Sequence, residues 1–177
     1  MEVGTSSVLM LPYTASSVGV ARRRLIGDLT AAGVLETTAC DAGLVLSELI
    51  SNALRHATPL PDAIVRVAWR LDDDCLEIAV SDGGGPTVPA VNEPGHSAIG
   101  GRGLGIVDRL SLRWGVYTSQ DGGETTVWAE LALGCDNEDE HVARGNLATD
   151  PGAWSQLRAS EHDANDDGLV IASARDA

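Results

Sequence analysis

The 177-residue sequence contains no lysine and no phenylalanine. All twelve basic residues are arginine, so a P-loop with its phosphate-binding lysine, a Schiff-base lysine and a lysine general base are excluded. Aromatic residues make up only 3% of the chain, so a core has to be built from leucine, valine, isoleucine and alanine. With 44% hydrophobic residues and a mean hydropathy of +0.01, such a core is available for most of one domain, and the length leaves room for an extension.

Positive charge is also scarce. The net charge of -14 and the pI near 4.4 argue against nucleic acid as a partner, because nucleic-acid binding depends on neutralising phosphates; a protein with a basic surface fits better. The three cysteines are far apart and lack metal-ligand spacing, which is typical of reduced thiols in a cytoplasmic protein. No apolar run approaches the roughly eighteen residues of a membrane span, and no signal peptide is recognisable, so we expect a cytoplasmic protein without membrane contact.

An amphipathic helix is predicted over residues 36–57, because apolar residues recur there at intervals of three and four. Glu48 and Asn52 stand four residues apart and therefore share one face of this helix, with His56 one turn further on. A carboxylate and an amide side by side can share a hydrated hard cation. The alternative is an ordinary solvated helix face, on which such pairs are common.

The segment before this helix is predicted to form an edge strand and a first helix. The apolar residues 8–11 end at Pro12, which cannot donate to a strand ladder, and an apolar helical stripe then runs to a stop at Gly33. Arginines 22–24 interrupt this stripe, either as a solvated helix face or as a partner-binding surface. Hydroxyl residues offer N-caps for the two helices: Thr14, Ser16 and Ser17 for the first, Thr37 or Thr38 for the second.

Two hairpins are predicted after the long helix. The first pairs residues 63–71 with 75–81, and the second pairs residues 113–118 with 125–133 across an Asp-Gly turn. Alternating apolar residues predict that one face of these strands packs on a helical layer. The residues assigned to that face are Ile64, Val67, Trp69, Leu76, Ile78, Val80, Val127, Ala129 and Leu131.

Two glycine-rich stretches lie between the first predicted hairpin and the second. Asp82 ends a strand directly before glycines 83–85, where it could accept a hydrogen bond from an exocyclic amine such as that of adenine; a plain glycine turn is the alternative. Residues 100–105 open another helix with four glycines, so backbone N–H groups can converge on a phosphate. The intervening residues 87–100 are predicted to form a lid-like loop, a context that does not fit a dinucleotide-binding Rossmann unit.

The order and spacing of these features over residues 8–133 resemble the nucleotide-binding fold shared by gyrase, Hsp90, histidine kinases and MutL. Within that superfamily the chain is most similar to the bacterial anti-sigma-factor serine/threonine kinases. Three stretches carry this resemblance: residues 46–57, 101–107 and 123–128.

The resemblance implies an α+β two-layer sandwich, with a mixed, mostly antiparallel sheet covered on one face by helices, known as the Bergerat ATP-binding fold. Residues 1–133 would form this domain. Residues 134–177 carry half of the net negative charge and are expected to form a disordered tail with an autoinhibitory or partner-binding role. No dimerisation helix with a phosphoacceptor histidine precedes the domain, so a complete sensor histidine kinase is not expected.

The resemblance also implies a role for each matching residue. Glu48 would be the general base, and Asn52 would ligate the magnesium ion that bridges the ATP phosphates. Asp82 would accept a hydrogen bond from the adenine amine, with Gly84 letting the base approach and Thr125 completing the contact. The residues at the second glycine-rich stretch would wrap the phosphates: Gly101, Arg102, Gly103, Leu104 and Gly105.

The implied activity is an ATP- and magnesium-dependent kinase that phosphorylates an anti-anti-sigma (STAS-type) protein and sequesters a sigma factor, and the implied state is a homodimer. Two residues depart from the family pattern: Pro86 replaces a common glycine and Glu124 replaces a common lysine. Because an acidic side chain facing the phosphates would repel them, Glu124 is expected to point outward. The alternative function is a catalytically silent module in which ATP orders residues 87–100 for partner binding.

Overall fold

A computed structural model describes residues 5–72, 74–86, 102–119, 123–133 and 169–170. The elements in chain order are β1 (Thr5–Pro12), α1 (Ser16–Ala31), α2 (Glu36–His56), a 3-10 turn (Pro61–Ala63), β2 (Ile64–Leu71), β3 (Cys75–Asp82), α3 (Arg102–Leu110), β4 (Arg113–Thr118), β5 (Thr125–Ala132) and β6 (Leu169–Val170). Each strand and helix predicted from the sequence is present. The predicted lid and, apart from β6, the predicted tail lie outside the described residues.

The strands form one sheet in the order β1-β2-β3-β5-β4-β6. The predicted α+β two-layer fold is confirmed, and each described pairing is antiparallel, where a mixed sheet was expected. Both predicted hairpins form, and β1 lies at an edge as its closing proline requires. Because β5 inserts between β3 and β4, its first residue, Thr125, lies directly opposite Asp82, the last residue of β3.

One face of the sheet carries the hydrophobic core beneath the helices. The alternation predicted for β3 and β5 is confirmed, but in β2 the inward residues are Val65, Val67 and Trp69, so the assignment of Ile64 to this face is wrong. Two residues with positive φ, Asp62 and Ala63, directly precede β2. The largest fully buried side chains include Leu25, Leu29, Leu46, Leu49, Ile50, Leu76 and Ile78.

The helix ends agree with the sequence prediction better than the helix starts do. Gly33 follows α1 with φ +80°, a conformation that glycine adopts without steric cost. At the starts, α1 follows Ala15 and α2 follows Leu35, and neither helix has a side-chain cap hydrogen bond, so the predicted hydroxyl caps are wrong. Ser17 is buried and donates to the carbonyl of Pro12, which ties the start of α1 to the end of β1.

The opposite face of the sheet, called the outer face below, is ordered as rows of cross-strand neighbours. One row is ionic: Arg70 pairs with Glu77 at 2.7 Å, and Arg113 holds Glu130 through two nitrogens at 2.8 and 2.6 Å. Burial raises the pKa of Glu77, against the lowering effect of Arg70. The next row is apolar and comprises Val8, Ala68, Ala79, Trp128 and Gly115.

The surface of α1 carries the predicted basic run. Arginines 22–24 are exposed, and Arg24 pairs with Asp28 at 3.0 Å, as a solvated helix face would. Their use as a partner-binding surface stays a prediction. Within the described ranges, no helix combines the length and the apolar character that crossing a bilayer requires.

Candidate functional site

The long helix α2 and the first turn of α3 meet at Glu48 and Gly103. A Cβ atom added to Gly103 would lie 2.6 Å from Glu48 Oε2, so only glycine allows the carboxylate to lie this close to the helix entry. Glu48 and Asn52 are both half-buried, one helical turn apart on α2. The fold therefore brings the predicted base to the predicted phosphate-binding turn, although the two are separated by more than fifty residues of chain.

A second contact joins the ends of β3 and β5. Asp82 and Thr125 are directly paired across the two strands, and Asp82 is only 3% exposed. Its Oδ1 accepts a hydrogen bond from the N–H of Gly84 at 2.8 Å, and no described arginine pairs with it. Burial, with a smaller contribution from the charge of Glu124, raises the pKa of Asp82 to about 6, although the Gly84 N–H opposes the shift. A buried carboxylate without a cation partner is suited to accept a hydrogen bond from a ligand amine.

The glycines after Asp82 pack against the end of α2. A Cβ at Gly83 would lie 2.4 Å from the carbonyl oxygen of Pro59, and one at Gly85 would lie 2.3 Å from that of His56. Gly84, between them, has φ +75°, a conformation that favours glycine. The glycines at 83 and 85 are thus required by close backbone packing between the end of β3 and the end of α2, a contact that the alternative of a plain glycine turn does not include.

The family described as the histidine kinase-like ATPase domain matches residues 11–131, which span β1 to β5 and both contacts above. The chain belongs to this family. Comparison with curated proteins gave no match.

Among solved structures, this histidine kinase-like ATPase domain is similar to the crystal structure of the RsbU and RsbW domains of Rv1364c from Mycobacterium tuberculosis. The TM-score is 0.56 at 20% identity, over 74% of this chain and 34% of that chain. The likeness establishes the fold, and the chain spans about a third of the length of that neighbour.

In this ATPase domain, α3 is anchored both to the core and to the sheet. Leu104 packs into the core with Val107, so its backbone alone could face an anion. The indole nitrogen of Trp114 on β4 donates to Asp108 at 3.0 Å and ties α3 to the sheet. Gly105 has open space where a Cβ would stand. Of the other predicted contacts, Gly101 and the side chain of Arg102 lie outside the described residues.

Two residues that the sequence did not single out hold the end of α2 in place. Thr58 binds the glycines through its backbone and its side chain. Its N–H donates to the carbonyl of Gly84 at 2.8 Å, and its own carbonyl accepts from the N–H of Gly83 at 2.8 Å. Its hydroxyl donates to the carbonyls of both glycines. The Tyr13 hydroxyl donates to the carbonyls of Ala53 at 2.5 Å and Ala57 at 2.7 Å. Burial, together with the charge of Asp82, raises the pKa of Tyr13.

A sequence signal exists for only one of these two residues. Thr58 stands between a helix and a proline, where a hydroxyl residue often bonds to nearby backbone. Nothing local to Tyr13 indicates a bond across forty residues of chain.

The two departures from the family pattern are direct chain neighbours of Thr125 and of the glycines after Asp82. Glu124 pairs with Arg66, a residue of the outer face, so its carboxylate points outward as predicted. Pro86 is exposed just after the glycines. His56, one turn beyond Asn52, is exposed at the end of α2.

The described residues fit ATP with a magnesium ion held mainly by the nucleotide. In the described part of the chain no three acidic, histidine or cysteine side chains are grouped to hold a metal by themselves. Magnesium commonly keeps several waters and binds through substrate phosphates with one or two protein oxygens. The Asn52 amide, one turn from Glu48, would supply one such oxygen.

Proposed function

We propose that this domain is an ATP-dependent serine/threonine protein kinase that phosphorylates an anti-anti-sigma (STAS-type) protein and sequesters a sigma factor. The contact between Glu48 and Gly103 is the observation that supports this function. A general base has to be within hydrogen-bond reach of the proton that it accepts, and Glu48 lies at the helix entry where the ATP phosphates would bind.

In the proposed reaction, the hydroxyl oxygen of the partner serine or threonine forms a bond to the γ-phosphorus of ATP, and the bond from that phosphorus to ADP breaks. The hydroxyl proton passes to the carboxylate of Glu48. Bound magnesium would neutralise phosphate charge, with Asn52 as a protein ligand, and the backbone N–H groups of residues 101–105 would cradle the phosphates. Phosphoryl transfer mainly needs in-line positioning and charge neutralisation, so this set of groups is sufficient.

Adenine selection is assigned to the contact between β3 and β5. Asp82 would accept a hydrogen bond from the exocyclic amine, Thr125 would complete the contact, and Gly84 would leave room for the base. Guanine carries a carbonyl at the corresponding position, so the Asp82 carboxylate would repel it. We therefore expect the domain to prefer adenine over guanine nucleotides.

Radiolabel transfer from ATP to purified anti-anti-sigma proteins tests this function. In Glu48→Gln we expect transfer to slow by about 10²- to 10⁴-fold, the range of a general base, while ATP affinity stays within about twofold. Glu36→Gln is the matched control, because Glu36 is exposed at the start of the same helix and far along it from the site. Calorimetric titration of ATP with and without magnesium, in wild type and Asn52→Ala, measures binding separately.

Each result has a defined consequence. Unchanged transfer in Glu48→Gln would refute the assignment of the base. Magnesium-dependent ATP binding without transfer to any candidate would support the silent ATP-gated module. Co-elution with a sigma factor on a sizing column, with and without ATP, tests sequestration, and the mass of the free protein tests the homodimer.

A further inference from the structure

A polar network on the outer face lies directly behind the proposed adenine site. It consists of Arg66 on β2, Ser81 on β3, Thr126 on β5, and Glu124 just before β5. Arg66 is the cross-strand partner of Ser81, and Ser81 is the partner of Thr126. The Ser81 and Thr126 hydroxyls lie 2.7 Å apart, and the Arg66 guanidinium reaches past them to the Glu124 carboxylate. The ion pair therefore joins β2 to β5 across the intervening strand.

The network and the adenine site are adjacent along both strands that carry them. Asp82 follows Ser81, and Thr125 lies between Glu124 and Thr126. Because successive side chains of a strand point to opposite faces, the network and the paired residues Asp82 and Thr125 lie back to back. A shift of β5 along β3 would break the network and separate Asp82 from Thr125 in the same movement.

We infer that Arg66 and Glu124 are positioning residues for adenine binding: their ion pair holds Thr125 opposite Asp82 and neutralises a carboxylate next to Asp82. This inference rests on the proposed function, which places adenine on Asp82 and Thr125. It also accounts for the acidic residue at position 124, since Arg66 balances its charge from the outer face.

The electrostatic part of the inference is measurable at Asp82. The groups around its carboxylate are the Gly84 N–H, the Tyr13 phenol and the Glu124 carboxylate, and the end of α2 adds Arg55 and His56, whose side chains are both exposed. Glu124 raises the pKa of Asp82. Removing the Glu124 charge should therefore lower this pKa, and removing the balancing charge of Arg66 should raise it further.

Carbon-13 NMR of the Asp82 carboxyl in the full chain, with calorimetric titration of ADP at pH 7, tests the inference. In Glu124→Gln we expect the pKa of Asp82 to fall by about 0.5 unit or more, and in Arg66→Met to rise by a similar amount. Both variants should bind ADP at least about fivefold more weakly, the loss expected from one hydrogen bond. The charge-reversed double variant R66E/E124R should recover ADP affinity while the pKa of Asp82 falls below the wild-type value, because the new cation lies nearer to it.

Arg70→Met is the matched control, because it breaks an ion pair of the same strand on the same face. Position 70 lies four residues, or about 13 Å, along β2 from Arg66, so this variant should lose stability yet keep the pKa of Asp82 and ADP affinity within twofold. Equal effects of Arg66→Met and Arg70→Met, or an Asp82 pKa that is the same in Glu124→Gln and wild type, would overturn the inference. If Asp82→Asn binds ADP as wild type does, the proposed adenine site itself is wrong.

Discussion

At the scale of single residues, the burial of Asp82 works against the stability of the fold. A carboxylate that is 3% exposed and has no described cation partner is harder to ionise than in water, and its pKa of about 6 reflects this. Sequence alone places Asp82 before its glycines but gives no sign of this cost, because burial depends on Thr125, Tyr13 and α2, which are distant in the chain. Such a cost at one residue is typical of a binding site.

The pH dependence of stability should report this residue. The pKa of Asp82 is raised in the folded state, so its contribution is fully present below the ordinary value of 3.8 and is lost as pH rises through about 6. Asp82→Asn removes this dependence and should raise the free energy of unfolding at pH 7 by roughly 3 kcal/mol, with a much smaller change near pH 4. Urea unfolding of both proteins at pH 4.5 and 7 checks this. A difference in stability between the variant and the wild type that is the same at both pH values would contradict it.

The contact of Gly103 with Glu48 gives a prediction for catalysis. A methyl group at position 103 would meet the end of a flexible side chain, so Gly103→Ala should displace the Glu48 carboxylate at little cost in stability. Transfer should fall by about 10²-fold or more, as expected when a base is misplaced. Gly105→Ala, two residues further along the same helix, has open space for its Cβ and is the control. Equal loss in both variants would point to crowding of the ligand instead of displacement of the base.

At the scale of elements, α2 serves both ends of the site. Its middle presents Glu48 and Asn52, and its last turn supports the glycines after β3 through Thr58. Tyr13 fixes that last turn by bonding to the carbonyl of Ala53, which also accepts from the N–H of Ala57, and to the carbonyl of the C-cap residue Ala57. Movement of this one helix would therefore alter the proposed phosphate and adenine contacts together.

Tyr13→Phe tests this role of α2. Loss of the hydroxyl should lower the free energy of unfolding by about 1–2 kcal/mol. It should also weaken ADP binding severalfold, because the end of α2 packs against glycines 83 and 85 beside Asp82. Thr30→Val is the comparison, since the Thr30 hydroxyl bonds to a carbonyl of α1 at an exposed position. Urea unfolding and calorimetry of both variants provide the measurement. Normal ADP binding in Tyr13→Phe would show that the end of α2 is positioned without it.

The elements also show what the sequence could predict. Local signals located β1 by its closing proline, the end of α1 by Gly33 and both hairpins by their turns, because each depends on a few neighbouring residues. The helix starts were placed on hydroxyl residues, yet Leu35 precedes α2 and no cap forms. The insertion of β5 between β3 and β4, and the bond from Tyr13 to α2, could not be predicted, because both join segments that are distant in the chain.

At the scale of the whole molecule, the core and each described site contact lie within residues 5–133. Beyond that range the structure describes only β6, a two-residue strand paired with the β4 edge. A chain that ends at Leu133 should therefore fold and bind ADP with an affinity within about twofold of the full chain. Urea unfolding and calorimetry of the truncated protein check this. A tenfold weaker affinity would mean that the acidic tail contributes to the site.

The position of β5 in the sheet also affects how the protein folds during its translation. When β3 has just left the ribosome, its edge away from β2 is unpaired. The strand that pairs with this edge is β5, not β4, and β5 ends fifty residues later. At translation rates of about 5–20 residues per second, that edge stays open for roughly 3–10 s. Nucleotide at the proposed adenine site would not shorten this interval, since Thr125 arrives with the strand that closes the sheet. Chaperones that shield unpaired strands would therefore matter most for this protein during synthesis.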